Sequence, residues 1–502
     1  DRAIAEKDRA IGFLNSKTLS LFNNHKRLTL SFYRLLRLYD IIKNRDIQFV
    51  KQKIKNIIHN IKIHKFTKKI KKKHFIKGYH IDIIKIFKSH NNDNYYFKEK
   101  SLNNICLYTW GLGPGGAERQ FSYIAKGLKN KGYEVNVICD DIHCEEHRHY
   151  EYIIREAGLT INYPNFENAF QFYENNKTII NNLIHYIHPE IRLKVLSLAG
   201  KLQKFKPHVL HCFLDPCNCI GGWAGILAGV PHIIFSFRNY IPYRFSYMNI
   251  PWLKECYDIL IHYNSVYLQA NSYAGAKDYA NWLNISEDKI KVIHNGFDFE
   301  TMLQPTFEEV KKFKEEIGVN ENEKIVAGVF RLSEEKRPFT FIEIIKKIKQ
   351  DIPEIKSVIT GIGPYEKEMR EKIEANGLAD TIYLLGKRKD IPVILSSADA
   401  FLLTSSLEGF PNVIIEAMYF GCPPVATDTG DISKIIDHGI NGFIHNVDDL
   451  DAIVKSLATI LKNQEVKQRL AKNGREKVIN NYNLDNLINN IIEEYNNLLE
   501  LK

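Results

Sequence analysis

At 502 residues the chain is too long for a single hydrophobic core and suits two or three domains, and 44% hydrophobic residues make it globular overall. No apolar run reaches the ~18 residues a spanning helix requires; the nearest, residues 223–237, is broken by Pro231 and His232. The net charge of +10 is uneven: residues 1–100 hold 25 Lys and Arg against 8 Asp and Glu, or +17, so the rest carries −7 and the basic excess describes an appendage.

Residues 1–100 read as a helical, basic extension. The first residue is Asp, which fits a fragment of a longer chain or a processed form, and no secretion signal stands at the start as given. Ile4, Ile11, Leu14, Leu28, Leu30, Leu35 and Leu36 could form the tail of a coiled coil. From Ile47 through Ile81 there is no acidic residue, and Ile54, Ile57, Ile58 and Ile61 sit at helical spacing among Lys51, Lys55 and Lys62. That is the pattern of an interfacial helix on an anionic membrane surface, and equally of a Lys-rich linker whose apolar stripe packs on protein. A nucleic-acid arm would also be basic, but no recognised nucleic-acid module accompanies it, so no nucleic-acid partner is expected.

The amino half alternates strands with glycine-rich turns. Asn104–Tyr108 reads as a strand, Gly111-Leu112-Gly113-Pro114-Gly115-Gly116 as a turn, and Ala117-Glu118-Arg119 opens a helix. Taken literally this is G-x-G-x-x-G, and Asp140 ends the next strand where a dinucleotide site wants its ribose-binding acid. A nicotinamide oxidoreductase is therefore a live reading, although Pro114 is unusual in that turn. Further strands are His208–Phe213, His232–Phe237, Val266–Ser272 and Lys291–Gly296. The eight cysteines form no C-x-x-C pair, and Cys212, Cys217 and Cys219 lack a fourth zinc ligand at usual spacing. Buried free thiols in a reducing cytoplasm are the simplest account.

The carboxy half is more specific. Ile325–Phe330 reads as a buried parallel strand, followed by Arg331-Leu332-Ser333-Glu334-Glu335-Lys336-Arg337-Pro338. Arg331 and Lys336 can point into one crevice, Arg offering a donor fork to phosphate and Lys a point charge. Two more apolar runs end in glycine turns, one at Gly361-Ile362-Gly363 and one at Gly386-Lys387-Arg388. Such turns gather at the carboxyl edge of a doubly wound sheet, where ligands bind. The run Ala400–Thr404 then leads into Glu408-Gly409-Phe410-Pro411-Asn412-Val413-Ile414-Ile415-Glu416. Strand, tight turn and helix in that order put Glu408 at a strand end and Glu416 one turn inside the helix, with Pro411 at the first helical position and Asn412 near the cap. Carboxylates so placed can accept bonds from vicinal hydroxyls, while bare helix-start amides suit a phosphate. By spacing alone, two solvated glutamates flanking an amphipathic helix would look the same.

Taken together, these motifs resemble the retaining family-4 glycosyltransferases with their E-x7-E signature, over roughly residues 103–502. The resemblance implies an α/β GT-B fold: two Rossmann-like doubly wound domains facing across a cleft, the first spanning 101–296 and the second, for the donor, 297–480. Residues 481–502 would be a crossover helix returning to the first domain. It implies transfer of a hexosyl or N-acetylhexosaminyl unit from a nucleotide diphosphate-sugar to a glycan or lipid-linked glycan in surface polysaccharide synthesis. Arg331, Lys336 and Glu408 are the implied catalytic residues. Gly115, Gly116, Gly363, Arg388, Gly409, Phe410, Asn412 and Glu416 join them around the donor, with Glu408 on sugar hydroxyls, Glu416 on the ribose and the base near Arg388. His211, Arg238 and Asn239 are acceptor-side candidates; many relatives carry a histidine where Arg238 and Asn239 stand, which puts a histidine-assisted step in doubt. No D-x-D pair occupies a plausible site, so no metal and no cofactor is expected. The expected location is cytoplasmic, or peripheral on the inner face of the membrane. A GT-B epimerase acting on a sugar nucleotide is the alternative, with the oxidoreductase behind it.

Overall fold

Near-continuous runs of Val, Ile, Leu and Phe bounded by glycine turns belong to strands buried on both faces, and such strands build parallel sheets covered by helices. The computed structural model describes residues 62, 65, 69, 70 and 103–500, apart from 246–247 and 321–322. The chain divides into two units, residues 1–70 and 71–502. In the first, Lys62, Lys65 and Lys69 are helical and exposed. The Ile54–Ile61 stripe, the coiled-coil expectation for residues 1–40 and most of the basic stretch lie outside the described residues.

The second unit holds two all-parallel sheets. One runs β3-β2-β1-β4-β5-β6-β7, from β1 (Asn104–Thr109), β2 (Glu134–Cys139), β3 (Ile161–Asn162), β4 (Val209–Phe213), β5 (His232–Phe237), β6 (Val266–Ala270) and β7 (Ile290–Val292). The other runs β10-β9-β8-β11-β12-β13, from β8 (Lys324–Val329), β9 (Ile355–Thr360), β10 (Ile382–Gly386), β11 (Ala400–Leu403), β12 (Pro424–Thr427) and β13 (Phe443–His445). Strand order reverses between β1 and β4 and again between β8 and β11. Ligands of such sheets bind outside the carboxyl ends of the strands at these switch points. Five helices carry or support the residues at those ends: α1 (Gly116–Asn130), α2 (Asp215–Ala228), α3 (Tyr273–Leu283), α4 (Asn412–Tyr419) and α5 (Leu484–Glu500).

The chain passes between the lobes twice, and the two passes are joined. Phe297 donates its amide to the Tyr482 carbonyl (2.9 Å), and Phe297 pairs with Asn483 as an isolated parallel bridge. Gln120 of α1 grips Gly296 from both sides, donating to its carbonyl (2.8 Å) and accepting from its amide (3.0 Å). After the second pass, α5 lies in the core of the first lobe. Leu487, Ile488, Ile491, Tyr495 and Leu498 are buried among Phe121, Ile124, Leu128 and Ile154. The fit depends on Gly127, where an added Cβ would stand 2.3 Å from Ile488 Cγ1.

Candidate active site

The turns after β8 and β11 are neighbours because their strands are neighbours, and they are stitched together. Thr404 Oγ1 donates to the Lys336 carbonyl (3.0 Å), and the Ser406 amide to the Glu335 carbonyl (2.8 Å). This brings Lys336 Nζ to 2.6 Å from Glu408 Oε1, the same oxygen that Ser405 Oγ donates to at 2.6 Å. Of the adjacent Lys336 and Arg337, the lysine is the one that meets Glu408. Arg337 adopts a left-handed backbone (φ 48°) and bonds the Val447 carbonyl (2.5 Å) and Asp448 (3.2 Å). Arg331 stands exposed on the turn after β8. The Glu408 turn is held from behind by Gly430, whose φ is 59° and whose missing Cβ would lie 1.7 Å from the Glu408 carbonyl oxygen.

The second glutamate faces the other lobe. Helix α4 begins at Asn412, with Pro411 as its cap residue, one position later than the sequence suggests. Glu416, half-buried, is bonded by Arg119 Nη2 from the start of α1, 297 residues earlier in the chain. Burial opposes the Arg119 charge, and the Glu416 carboxylate overcomes it and holds the guanidinium protonated. Asn412 accepts a bond from Asn295 (2.7 Å), and its side-chain amide lies where a Cβ on Gly116 would come within 2.6 Å. The glycine turn of the first lobe thus rests directly on the start of α4. Gly115 is covered by the Glu118 side chain, which a Cβ would meet at 2.1 Å.

Other expected donor residues have different surroundings. Gly363 packs against the backbone of Leu332, 2.3 Å from a hypothetical Cβ, so it joins two turns. Gly409 gives its carbonyl to the Asp431 amide (3.0 Å). Phe410 is buried, stacked on His294 at 4.7 Å and edge-on to Tyr482 at 5.4 Å, so its ring belongs to the interlobe contact. Arg388, expected near the nucleotide base, bonds Glu316 (2.6 Å) and Asp390 (2.6 Å).

On the first lobe, His211, an expected acceptor-side residue, lies inside the fold. It is fully buried, its Nδ1 lies 2.9 Å from the Tyr495 hydroxyl of α5, and burial pushes its imidazole down to about 3. It ties β4 to the returning helix. Asn239 accepts from the Tyr240 amide through its own side chain (2.9 Å). Arg238 bonds Asn295 Oδ1 (2.5 Å) and Ser236 Oγ (3.3 Å). Asp140, the acid a dinucleotide site would need, is half-buried, with its carboxylate engaged by the Tyr108 hydroxyl (2.8 Å) and Lys194 Nζ (2.8 Å). Both of its carboxylate oxygens are thus taken by side chains of the fold, which does not favour the oxidoreductase reading.

Several site residues escape sequence reading. Asp431 reaches from the second lobe to cap α3, accepting from the Tyr273 (2.8 Å) and Ala274 (3.0 Å) amides and lying 3.0 Å from His294 Nε2. Arg119 lies inside the glycine-loop string, but nothing local tells that its partner is Glu416. Asp215, the first residue of α2, is fully buried and accepts from the Tyr257 (2.8 Å) and Tyr279 (2.7 Å) hydroxyls. Burial raises its carboxyl to about 6 despite those bonds. A folded-state pKa above the unfolded value of 3.8 means that the native protein holds the proton longer. This group's contribution to stability is therefore full at low pH and is lost as pH rises from about 4 to 6, on the order of 3 kcal/mol in all. Asp215→Asn, which keeps an accepting oxygen, should remove that slope. Urea unfolding of both proteins at pH 4.5 and 7.5 checks it: the variant should gain on the native protein at the higher pH. Among the described residues no group of three or more His, Cys, Asp or Glu could hold a metal ion, none of the helices is long and apolar enough to cross a membrane, and all eight cysteines are free thiols.

Comparison with known proteins bears on this geometry. Residues 309–477 match the family model Glycosyl transferases group 1, and residues 114–301 match Glycosyltransferase Family 4. Over 377 residues, 70% of this chain, there is 26% identity to the Vi polysaccharide biosynthesis protein VipC/TviE of Salmonella typhi. The match spans 64% of that relative's length. The UDP-Gal:alpha-D-GlcNAc-diphosphoundecaprenol alpha-1,3-galactosyltransferase of Escherichia coli is 26% identical over 304 residues, 60% of this chain and 78% of its own. Among solved structures, HepE of Anabaena in complex with UDP and glucose superposes with a TM-score of 0.63 at 20% identity, covering 78% of this chain and 98% of its own.

Proposed function

We propose that this chain, which matches the Glycosyl transferases group 1 and Glycosyltransferase Family 4 models in its two lobes and has a GT-B fold, moves a hexosyl or N-acetylhexosaminyl unit, with retention, from a nucleotide diphosphate-sugar to a glycan or lipid-linked glycan in surface polysaccharide synthesis. Two ion pairs carry this reading: Lys336–Glu408, between the turns after the neighbouring strands β8 and β11, and Arg119–Glu416, which joins the two lobes. The named substrates of relatives, a UDP-galactose and a diphosphoundecaprenol-linked sugar in Escherichia coli and UDP with glucose in HepE, support the substrate classes.

In this reading the donor diphosphate lies between the glycine turn and the start of α4, drawing Lys336 toward its oxygens. Glu408 is thereby released to accept from sugar hydroxyls, and Glu416 from the ribose. Glu408, still bonded by Ser405 Oγ, is occupied with those hydroxyls, and the step is a same-face displacement in which the departing phosphate oxygen takes the acceptor proton. Cationic side chains and helix-start amides neutralise the leaving group, and no metal is needed. Closure of the two lobes excludes water.

A thermal-shift panel of UDP-glucose, UDP-galactose, UDP-N-acetylglucosamine and GDP-mannose tests the donor class. A donor at 100 times its Kd should stabilise the protein by about 2.7 kcal/mol. A protein that no sugar nucleotide shifts does not have this function. Change of the shifted donor in the absence of any acceptor would instead favour the epimerase.

A further inference from the structure

Arg238 is the unusual charge in the cleft. It follows β5, and the groups around it come from both lobes: Phe213 at the end of β4, Asn295 just before the first pass between the lobes, and through Asn295 the Asn412 side chain that opens α4. The guanidinium carbon lies 5.1 Å from the Phe213 ring centre. Its hydrogen-bond partners, Asn295 Oδ1 and Ser236 Oγ, are neutral, and its Nε is buried without a partner. No carboxylate lies within ion-pair distance among the described residues; Glu118 acts on it only at longer range. Desolvation is strong enough to push its pKa down to about 9. The residue is half-buried, and a cation drawn largely out of water without a counter-ion is costly unless a ligand completes it.

We propose that Arg238 is an oxyanion-binding residue on the cleft floor, a third cation beside Arg331 and Lys336 that receives the terminal phosphate of the donor diphosphate. Its position points to phosphate over acceptor: Asn295 links it to Asn412, and Asn412 is the residue on which the glycine turn rests. The planar fork suits two phosphate oxygens at once. The inference rests on the donor reading above and adds a residue to it.

Calorimetric titration of the full chain with UDP and with uridine, or GDP and guanosine if the donor panel selects guanine, tests it. Arg238→Gln should bind the nucleoside as the native protein does and the diphosphate roughly tenfold to a hundredfold more weakly. Its ligand-free melting temperature should not fall, because a desolvated charge without a counter-ion has been removed. Arg238→Lys, which keeps the charge but loses the fork, should be intermediate, and it carries the test should the Gln protein fail to fold. Native affinity for the diphosphate in a folded variant, whatever its melting temperature, overturns the inference while leaving the donor reading intact. If the native protein binds neither diphosphate, the donor reading itself falls.

Discussion

Lys336→Ala is expected to fold normally and to lose roughly 10²–10³ in kcat, the usual cost of removing one preorganised electrostatic contact to a leaving group. The structure explains why folding should survive. The ammonium is at the rim of the turn, and Thr404 and Ser406 hold that turn through backbone carbonyls that the substitution leaves in place. Glu408 would retain Ser405 as a donor. Glu416→Gln should lose transfer to a similar degree, with a different signature. It removes the charge from both the expected ribose contact and the Arg119 ion pair, so donor KM should rise along with the fall in kcat. Steady-state kinetics against donor, with circular dichroism to verify folding, measures both. Full activity in either variant would remove the site assignment.

The largest effect on stability is expected from the last helix. Removing residues 484–502 takes Leu487, Ile488, Ile491, Tyr495 and Leu498 out of the first lobe's core. At about 1.5–3 kcal/mol for each buried apolar side chain, the loss is about 8–15 kcal/mol, as large as the whole stability of a typical domain. It also leaves His211 without Tyr495. The truncated protein should lose its first lobe entirely, and a native-like melting transition in the truncated chain would refute this. The milder Gly127→Val forces a side chain into Ile488 and should lower the melting temperature by several degrees without touching the cleft.

Local pattern carried the strands, the turns and the order strand, turn, helix around Glu408, because each is written in contiguous residues. The pairing of Lys336 with Glu408 also follows from order, since adjacent strands bring their turns together. What could not be read are contacts between residues far apart in the chain. His211 resembles a cleft residue at a strand end until Tyr495, 284 positions on, arrives beside it. Asp140 stands at the spacing of a ribose acid, and only the fold reveals Tyr108 and Lys194 occupying it. Arg388 follows the Gly386 turn, and its ion pair with Glu316, 72 positions earlier, is absent from any local pattern. Arg119 is plain in the sequence, and its partner across the cleft is not. Asp431 and His294 join elements of both lobes that no window of sequence contains.

The return of α5 to the first lobe also has a temporal consequence. During synthesis, β1 through β7 leave the ribosome long before Leu487 and Tyr495 do, so the groove they fill on α1 stays open to water while the whole second lobe is made. The half that is translated first therefore matures last, and through that interval it presents an apolar face that chaperones or unwanted neighbours can reach.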